Sequence, residues 1–237
     1  GSWWPHVRDG SLGILAGMSQ RRSLRDERRR VFSQNFLTDG RAIERFLAVA
    51  DLRPDDVVVE VGAGAGALTS RMGKVARKVF SYELDETLKK KLDAAVGEMP
   101  NVEVIYRDFL SSRPPKGPFK LVSNVPFGLT SAVLDWVVEA RTLTSATLIT
   151  QLEYAKKRSG AYGRWSKLTV STWPFLEWSL RGRIARTSFR PVPKVDAGIL
   201  VVERRSKPLL AGRDVRAWND LVELGFSGVG GSLFASL

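Results

Sequence analysis

The 237-residue chain contains no cysteine and a single histidine, His6. Without thiols there can be no disulfide, no thiolate nucleophile and no cysteine-bound zinc, and with His6 as the one imidazole a His-based triad or metal cluster is almost excluded. No metal is therefore expected. The sequence has no run of about 18 consecutive apolar residues, so neither a transmembrane helix nor a membrane partner is expected. The sparse apolar residues at the N-terminus, broken by Gly, Arg and Asp, do not read as a secretory signal. These absences fit a protein of the reducing cytoplasm. Chemistry is left to asparagine, carboxylates, aromatic rings and a bound cofactor.

Positive charge is in excess. Lys and Arg number 37 against 25 Asp and Glu, a net charge of +12 and a pI near 10.3. Such a balance serves solubility or a polyanionic partner. Six arginines fall between Arg21 and Arg30, with Arg28, Arg29 and Arg30 consecutive. Lys156, Lys157 and Arg158 form a second group, and Arg181, Arg183, Arg186, Arg190 and Lys194 a third. Because these groups flank the segments that carry candidate chemistry, nucleic acid is the favoured partner.

Three regions are expected. Residues 1–30 form a basic, loose N-terminal segment, whose first two residues, Gly1-Ser2, resemble a cloning remnant. Residues 31–205 hold the main domain, and residues 206–237 a short helical tail. Within the main domain, short β-branched runs at 57–61, 79–82, 102–106, 120–123 and 146–151 alternate with helical stretches at 67–75, 87–96 and 131–140. Two late strands, 175–182 and 197–203, are expected to pair as an antiparallel edge. This alternation predicts an α/β fold: a doubly wound, Rossmann-like sheet with helices on both faces.

In such sheets ligands gather at the carboxyl ends of the strands. The first strand ends in Glu60-Val61-Gly62-Ala63-Gly64-Ala65-Gly66, where glycines at alternate positions permit a sharp turn and a close approach to a ligand. The bland alternative is a tight strand-to-helix turn. Glu83 ends the second strand, where a carboxylate can accept from ribose hydroxyls. Asp108 ends the third, suited to an adenine amine with Phe109 over the ring, or equally to a helix N-cap. Asn124 ends the fourth, within Asn124-Val125-Pro126-Phe127. Its side-chain oxygen and the Val125 carbonyl can each accept from an exocyclic amine, Pro126 offers no competing N–H, and Phe127 can stack on a base. Together the four strand ends describe a site for an adenosine-containing cofactor, with Asn124 facing the reacting group.

The order Ser33-Gln34-Asn35-Phe36-Leu37, Glu60 to Gly66, Glu83, Asp108, Asn124 to Phe127, then Ser188-Phe189-Arg190-Pro191-Val192-Pro193-Lys194-Val195-Asp196, resembles the rRNA adenine N6-methyltransferases. The likeness spans roughly Val31 to Arg205. It implies a class I methyltransferase sheet and S-adenosylmethionine as cofactor. Gln34, Asn35 and Leu37 would close over the cofactor, Gly62 and Gly64 would underlie its methionine part, Glu83 would hold its ribose, and Asp108 with Phe109 its adenine. Asn124 would lie between methyl donor and target amine, with Phe127 and Phe189 sandwiching the extruded adenine. Lys156, Lys157, Arg158, Arg164 and Lys167 fall where the family places a substrate-facing loop. With Arg28, Arg29, Arg30, Arg190 and Lys194, they are the expected RNA contacts.

Within that family the Arg-rich leader and Lys207-Pro208-Leu209-Leu210 are more similar to the erythromycin-resistance 23S rRNA enzymes than to the 16S dimethyladenosine transferases. A 23S rRNA partner and a monomeric protein are therefore expected. A 16S rRNA adenine dimethyltransferase, a catalytically silent RNA-binding or transcription factor and a DNA adenine methyltransferase are the alternatives. Departures from the family pattern are Phe127 where Tyr is frequent, Asp196 where Ser is frequent, and a C-terminal helical part expected to be a truncated form.

Overall fold

The computed structural model describes residues 35–160, 165–211 and 213–228. In chain order the elements are β1 (Phe36–Leu37), α1 (Gly40–Ala50), β2 (Val57–Val61), α2 (Thr69–Met72), β3 (Lys78–Glu83), α3 (Lys89–Val96), β4 (Val102–Tyr106), β5 (Phe119–Asn124) and α4 (Thr130–Glu139). They continue with β6 (Leu143–Gln151), α5 (Leu152–Ser159), α6 (Lys167–Thr172), β7 (Leu176–Ile184), β8 (Phe189–Arg190), β9 (Ala197–Arg204) and α7 (Arg213–Gly225).

Seven strands form one sheet in the order β4-β3-β2-β5-β6-β9-β7. The first five are parallel, while β9 runs antiparallel to β6 and β7 antiparallel to β9. The antiparallel edge and the doubly wound order agree with the expected fold. Alternate residues of the central strands point to opposite faces. Val59, Val61 and Leu121 join a core with Val133, Leu134 and Val137 of α4, whereas Val58 and Val122 join Ile43 and Phe46 of α1 with Met72 of α2. Burial on both faces accounts for the unbroken apolar runs in these strands. The order of strands reverses between β2 and β5, which are neighbours, so their carboxyl ends border the crevice at that switch point.

Several local features differ from expectation. The helix expected over 67–75 is regular only at Thr69–Met72. Its two flanking glycines press against neighbours: a Cβ on Gly66 would meet Ala95 at 2.7 Å, and one on Gly73 would meet Val102 at 2.6 Å. The helix expected over 87–96 starts as a 3₁₀ turn, Glu86–Leu88, capped by Asp85. A two-stranded ladder, β1 with β8, has no local signature and was not expected. Of the stretch expected as a substrate-facing loop, Lys156 to Arg158 lie in a helix, α5, and Lys167 begins α6. The last turn of α5 carries Lys156, Lys157 and Arg158, where cations offset the helix dipole. Among the described residues no helix is long and apolar enough to cross a membrane. The leader, residues 1–30, lies outside the described residues.

Candidate active site

The glycine turn after β2 is held by a carboxylate. Glu83, at the end of neighbouring β3, accepts the Gly64 N–H through Oε2 at 2.7 Å and the Leu84 and Asp85 N–H groups through Oε1, each at 2.8 Å. Glu83 is 1% exposed. The structure thus shows it tying two strand ends together, and the ribose contact expected of it would come in addition to those bonds. Gly64 takes φ +60°, and a Cβ there would lie 3.0 Å from the Phe36 ring. Glycine is required both for the backbone and for that approach.

Beside this turn lies a cavity of about 270 Å³, bounded by Phe36, Thr38, Glu60, Gly62, Gly64 and Asn124 among others. Glu60 is its buried acid. Thr69 and Ser81 hydroxyls donate to Glu60 Oε2 at 2.6 and 2.7 Å. Burial pushes its carboxyl up to about 7, against the pull of those two donors, and the nearby Glu83 charge adds to the rise. Glu60 was not among the expected site residues. Its signal was an acid inside an otherwise apolar strand, directly ahead of the glycines. An adenosine-containing cofactor fits here on two observations: a side chain on Gly64 would close the approach to Phe36, and a buried carboxyl faces the cavity.

Asn124 borders this cavity and a second, much narrower slot of about 20 Å³, lined by Asn35, Phe36, Val125, Pro126 and Phe127. Its Nδ2 donates to the Asn35 carbonyl at 2.7 Å. That bond fixes the orientation of the amide and directs Oδ1 elsewhere as an acceptor. The slot has room for about one water, so it must widen to admit a base. Phe127 is half-buried at its edge, opening the 3₁₀ turn Phe127–Leu129.

The β1–β8 ladder unites two remote motifs. Phe36 pairs with Arg190 and Leu37 with Phe189, and the Thr38 N–H donates to the Ser188 carbonyl at 2.9 Å. Leu37 is buried, 4% exposed, and Phe189 is wholly buried; both sit in one core cluster against which Phe127 packs. Phe189, expected to form one face of an adenine sandwich, is therefore a core residue in this state, because β8 turns its ring inward. Phe109, expected to cover an adenine, is likewise buried: it packs edge-on to Tyr82 at 5.3 Å and against Trp136 at 4.5 Å. Asp108 caps the turn that follows, accepting the Leu110 N–H at 2.9 Å, as the capping alternative foresaw.

The expected RNA contacts divide. Lys157, Arg190 and Lys194 are exposed. Lys156 pairs with Glu153 at 2.7 Å and Lys167 with Glu223 of α7 at 2.6 Å. Arg158 turns inward, donating to the Ser166 hydroxyl at 3.0 Å and lying over the Tyr154 ring. It braces α5 against α6. Gln34, Arg28, Arg29, Arg30 and Arg164 lie outside the described residues.

Comparison with known proteins bears on this geometry. The family model for ribosomal RNA adenine dimethylases matches residues 25–237. An rRNA methyltransferase of Streptomyces thermotolerans is 50% identical over 216 residues, which cover 91% of this chain and 72% of that protein. An rRNA adenine N-6-methyltransferase of Saccharopolyspora erythraea is 49% identical over 216 residues, covering 91% of the chain and 57% of the relative. The chain thus spans between roughly half and three quarters of the length of these two relatives. Among solved structures, the 23S rRNA methyltransferase ErmE superposes with a TM-score of 0.81 at 48% identity, over 85% of this chain and 83% of that one.

Proposed function

Since the chain belongs to the ribosomal RNA adenine dimethylase family, we propose that it transfers methyl from S-adenosylmethionine to N6 of an unpaired or flipped adenine in 23S rRNA, a modification conferring macrolide, lincosamide and streptogramin resistance. The observation that carries this reading is Asn124: its amide is anchored by the Asn35 carbonyl and borders both the wide cavity beneath the glycine turn and the narrow slot at Phe127. The likeness to ErmE, a 23S rRNA enzyme at 48% identity, favours 23S over 16S rRNA. Such work would place the protein in the cytoplasm, in contact with rRNA through Lys157, Arg190 and Lys194.

The bound cofactor supplies an electrophilic methyl on a sulfonium. The rest of the chemistry falls to the chain. Adenine N6 is a weak nucleophile because its lone pair is delocalised into the ring. Asn124 Oδ1 and the Val125 carbonyl accept its two N–H groups and favour the positive charge that develops on N6 during attack. This helps to the extent that the bonds tighten in the transition state. Alignment of N6 against the methyl adds the gain of proximity. Phe127 stacks on the extruded base, offsetting part of the unstacking cost at about 1–3 kcal/mol per stacked base. The methylated ammonium sheds its proton to water, so no general base is needed.

The test is transfer of labelled methyl to purified 23S and 16S rRNA, followed by primer-extension mapping. Incorporation at one 23S adenine is expected. Incorporation confined to 16S rRNA, or to DNA, would refute the assignment.

A further inference from the structure

The carboxyl rim of the sheet carries a second cleft, of about 390 Å³, beside the Asn124 slot. It is bounded by Gln151 and Glu153 on one side and by Arg186, Lys194, Val195 and Asp196 on the other. Its size falls within the range of about 300–1,000 Å³ typical of small-molecule sites. Strand register sets its position. Asn124 on β5 is level with Ile149 on β6, and Gln151 lies two residues farther along that strand. With a rise of about 3.3 Å per residue and about 4.8 Å between strands, the cleft begins roughly 8 Å from the Asn124 backbone. A nucleotide adjoining an extruded adenine can bridge that step.

The cleft is a built feature. The Asp196 carboxylate accepts from Arg183 Nε at 2.9 Å and from the Arg186 N–H at 2.9 Å. The Asp196 carbonyl accepts the Leu152 N–H at 2.9 Å. One residue therefore locks the end of β7, the turn after it and the start of α5 around one floor. Arg183 neutralises the Asp196 charge, and Glu153 is paired with Lys156. The Arg186 and Lys194 side chains then give the wall a cationic balance. Val195, 43% exposed, forms an apolar ledge beside those cations, and Gln151 presents an exposed amide that both donates and accepts.

We propose that this cleft is a subsite for the nucleotide next to the methylated adenine, with its phosphate against Arg186 and Lys194 and its base on Val195, one edge toward Gln151. The inference rests on the RNA-methylation reading above. It assigns to Arg186, Gln151 and Val195 a role in choosing which adenine enters the slot.

The test uses a 23S rRNA hairpin containing the target adenine, and two versions in which the 5′ or the 3′ neighbour is abasic. KM, kcat and the salt dependence of binding are measured for the wild type, Gln151→Ala and the pair Arg186→Ala/Lys194→Ala, with S-adenosylmethionine affinity as the control for folding. One abasic hairpin should raise the wild-type KM by about 10-fold, matching about 1–3 kcal/mol for a lost base contact. The same hairpin should cost Gln151→Ala much less. The double variant should raise KM on every hairpin, keep its cofactor affinity and lower the salt slope by about one per lost phosphate contact. Equal methylation of all three hairpins by the wild type, or equal penalties in wild type and Gln151→Ala, would overturn the subsite. If the wild type methylates no 23S hairpin at all, the substrate reading itself falls and the subsite falls with it.

Discussion

Asn124 and Asn35 are 89 positions apart in the chain, yet the amide of one donates to the carbonyl of the other at 2.7 Å. This bond fixes which end of the Asn124 amide donates and which accepts. Nδ2 is engaged by Asn35, and under the proposed function Oδ1 would accept from the exocyclic amine. Asn124→Ala should therefore lower methyl transfer by about 10²–10³-fold, the usual cost of losing one preorganised polar contact to developing charge. Calorimetric titration should show cofactor affinity altered far less. Near-normal turnover in this variant would remove Asn124 from the reaction.

Glu83 is expected to act through the glycine turn it holds. In Glu83→Ala three N–H donors, those of Gly64, Leu84 and Asp85, lose their acceptor. The buried Gly64 N–H left without an acceptor costs about 1–3 kcal/mol, and the partly exposed Leu84 and Asp85 N–H groups add less. Thermal denaturation should show clear destabilisation, with cofactor affinity falling as the turn loosens. Glu83→Gln keeps one acceptor oxygen and should recover part of both. An unchanged melting temperature in the alanine variant would contradict the observed bonding.

Glu60 ties stability to pH. Its carboxyl titrates near 7 in the folded protein, against 4.5 for an exposed glutamate, because burial opposes the charge. Between those values the folded state binds more protons than the unfolded chain, so this group's contribution to stability declines as pH rises from about 4.5 to about 7 and levels off above. Glu60→Gln retains an acceptor for the Thr69 and Ser81 hydroxyls and carries no charge. Relative to wild type it should therefore gain stability on going from pH 5 to pH 8, by a few kcal/mol, since each tenfold change in proton affinity is worth about 1.4 kcal/mol. Urea unfolding at the two pH values measures the difference. Parallel pH profiles in the two proteins would count against a buried, protonated Glu60.

What could be read from the sequence was local. The glycines at 62, 64 and 66 and the polar strand ends at Glu83, Asp108 and Asn124 announce themselves by spacing, because each depends on its own backbone stretch. The β-branched runs likewise reveal both strand positions and burial on two faces. The pairing of Leu37 with Phe189 has no such signature: a two-residue ladder joining segments about 150 positions apart is set by tertiary packing. For the same reason Phe109 and Phe189 looked like stacking platforms but are buried, since an aromatic beside a polar motif gives no hint of which way its strand or turn faces. Arg158 resembled an RNA contact in sequence, whereas α5 and α6 enclose it in the fold.

Phe127 and Phe189 should separate cleanly on substitution. Phe189 has no exposed surface and packs with Leu37, Val122 and Ile149. Phe189→Ala should cost about 3–5 kcal/mol, the range for emptying a buried aromatic site, and should loosen the β1–β8 ladder that carries Asn35 and Phe36 to the slot. Phe127 is half-buried at the slot edge and loses less contact on truncation. Phe127→Ala should leave the melting temperature nearly unchanged while RNA methylation falls with the lost stacking, by about 1–3 kcal/mol in the apparent barrier. Phe127→Tyr should restore activity, because a phenol ring stacks as well as a phenyl. Chemical denaturation beside single-turnover methyl transfer tests both residues. If Phe189→Ala proved as stable as wild type but inactive, Phe189 would belong to the adenine sandwich after all, exposed by an opening of the ladder.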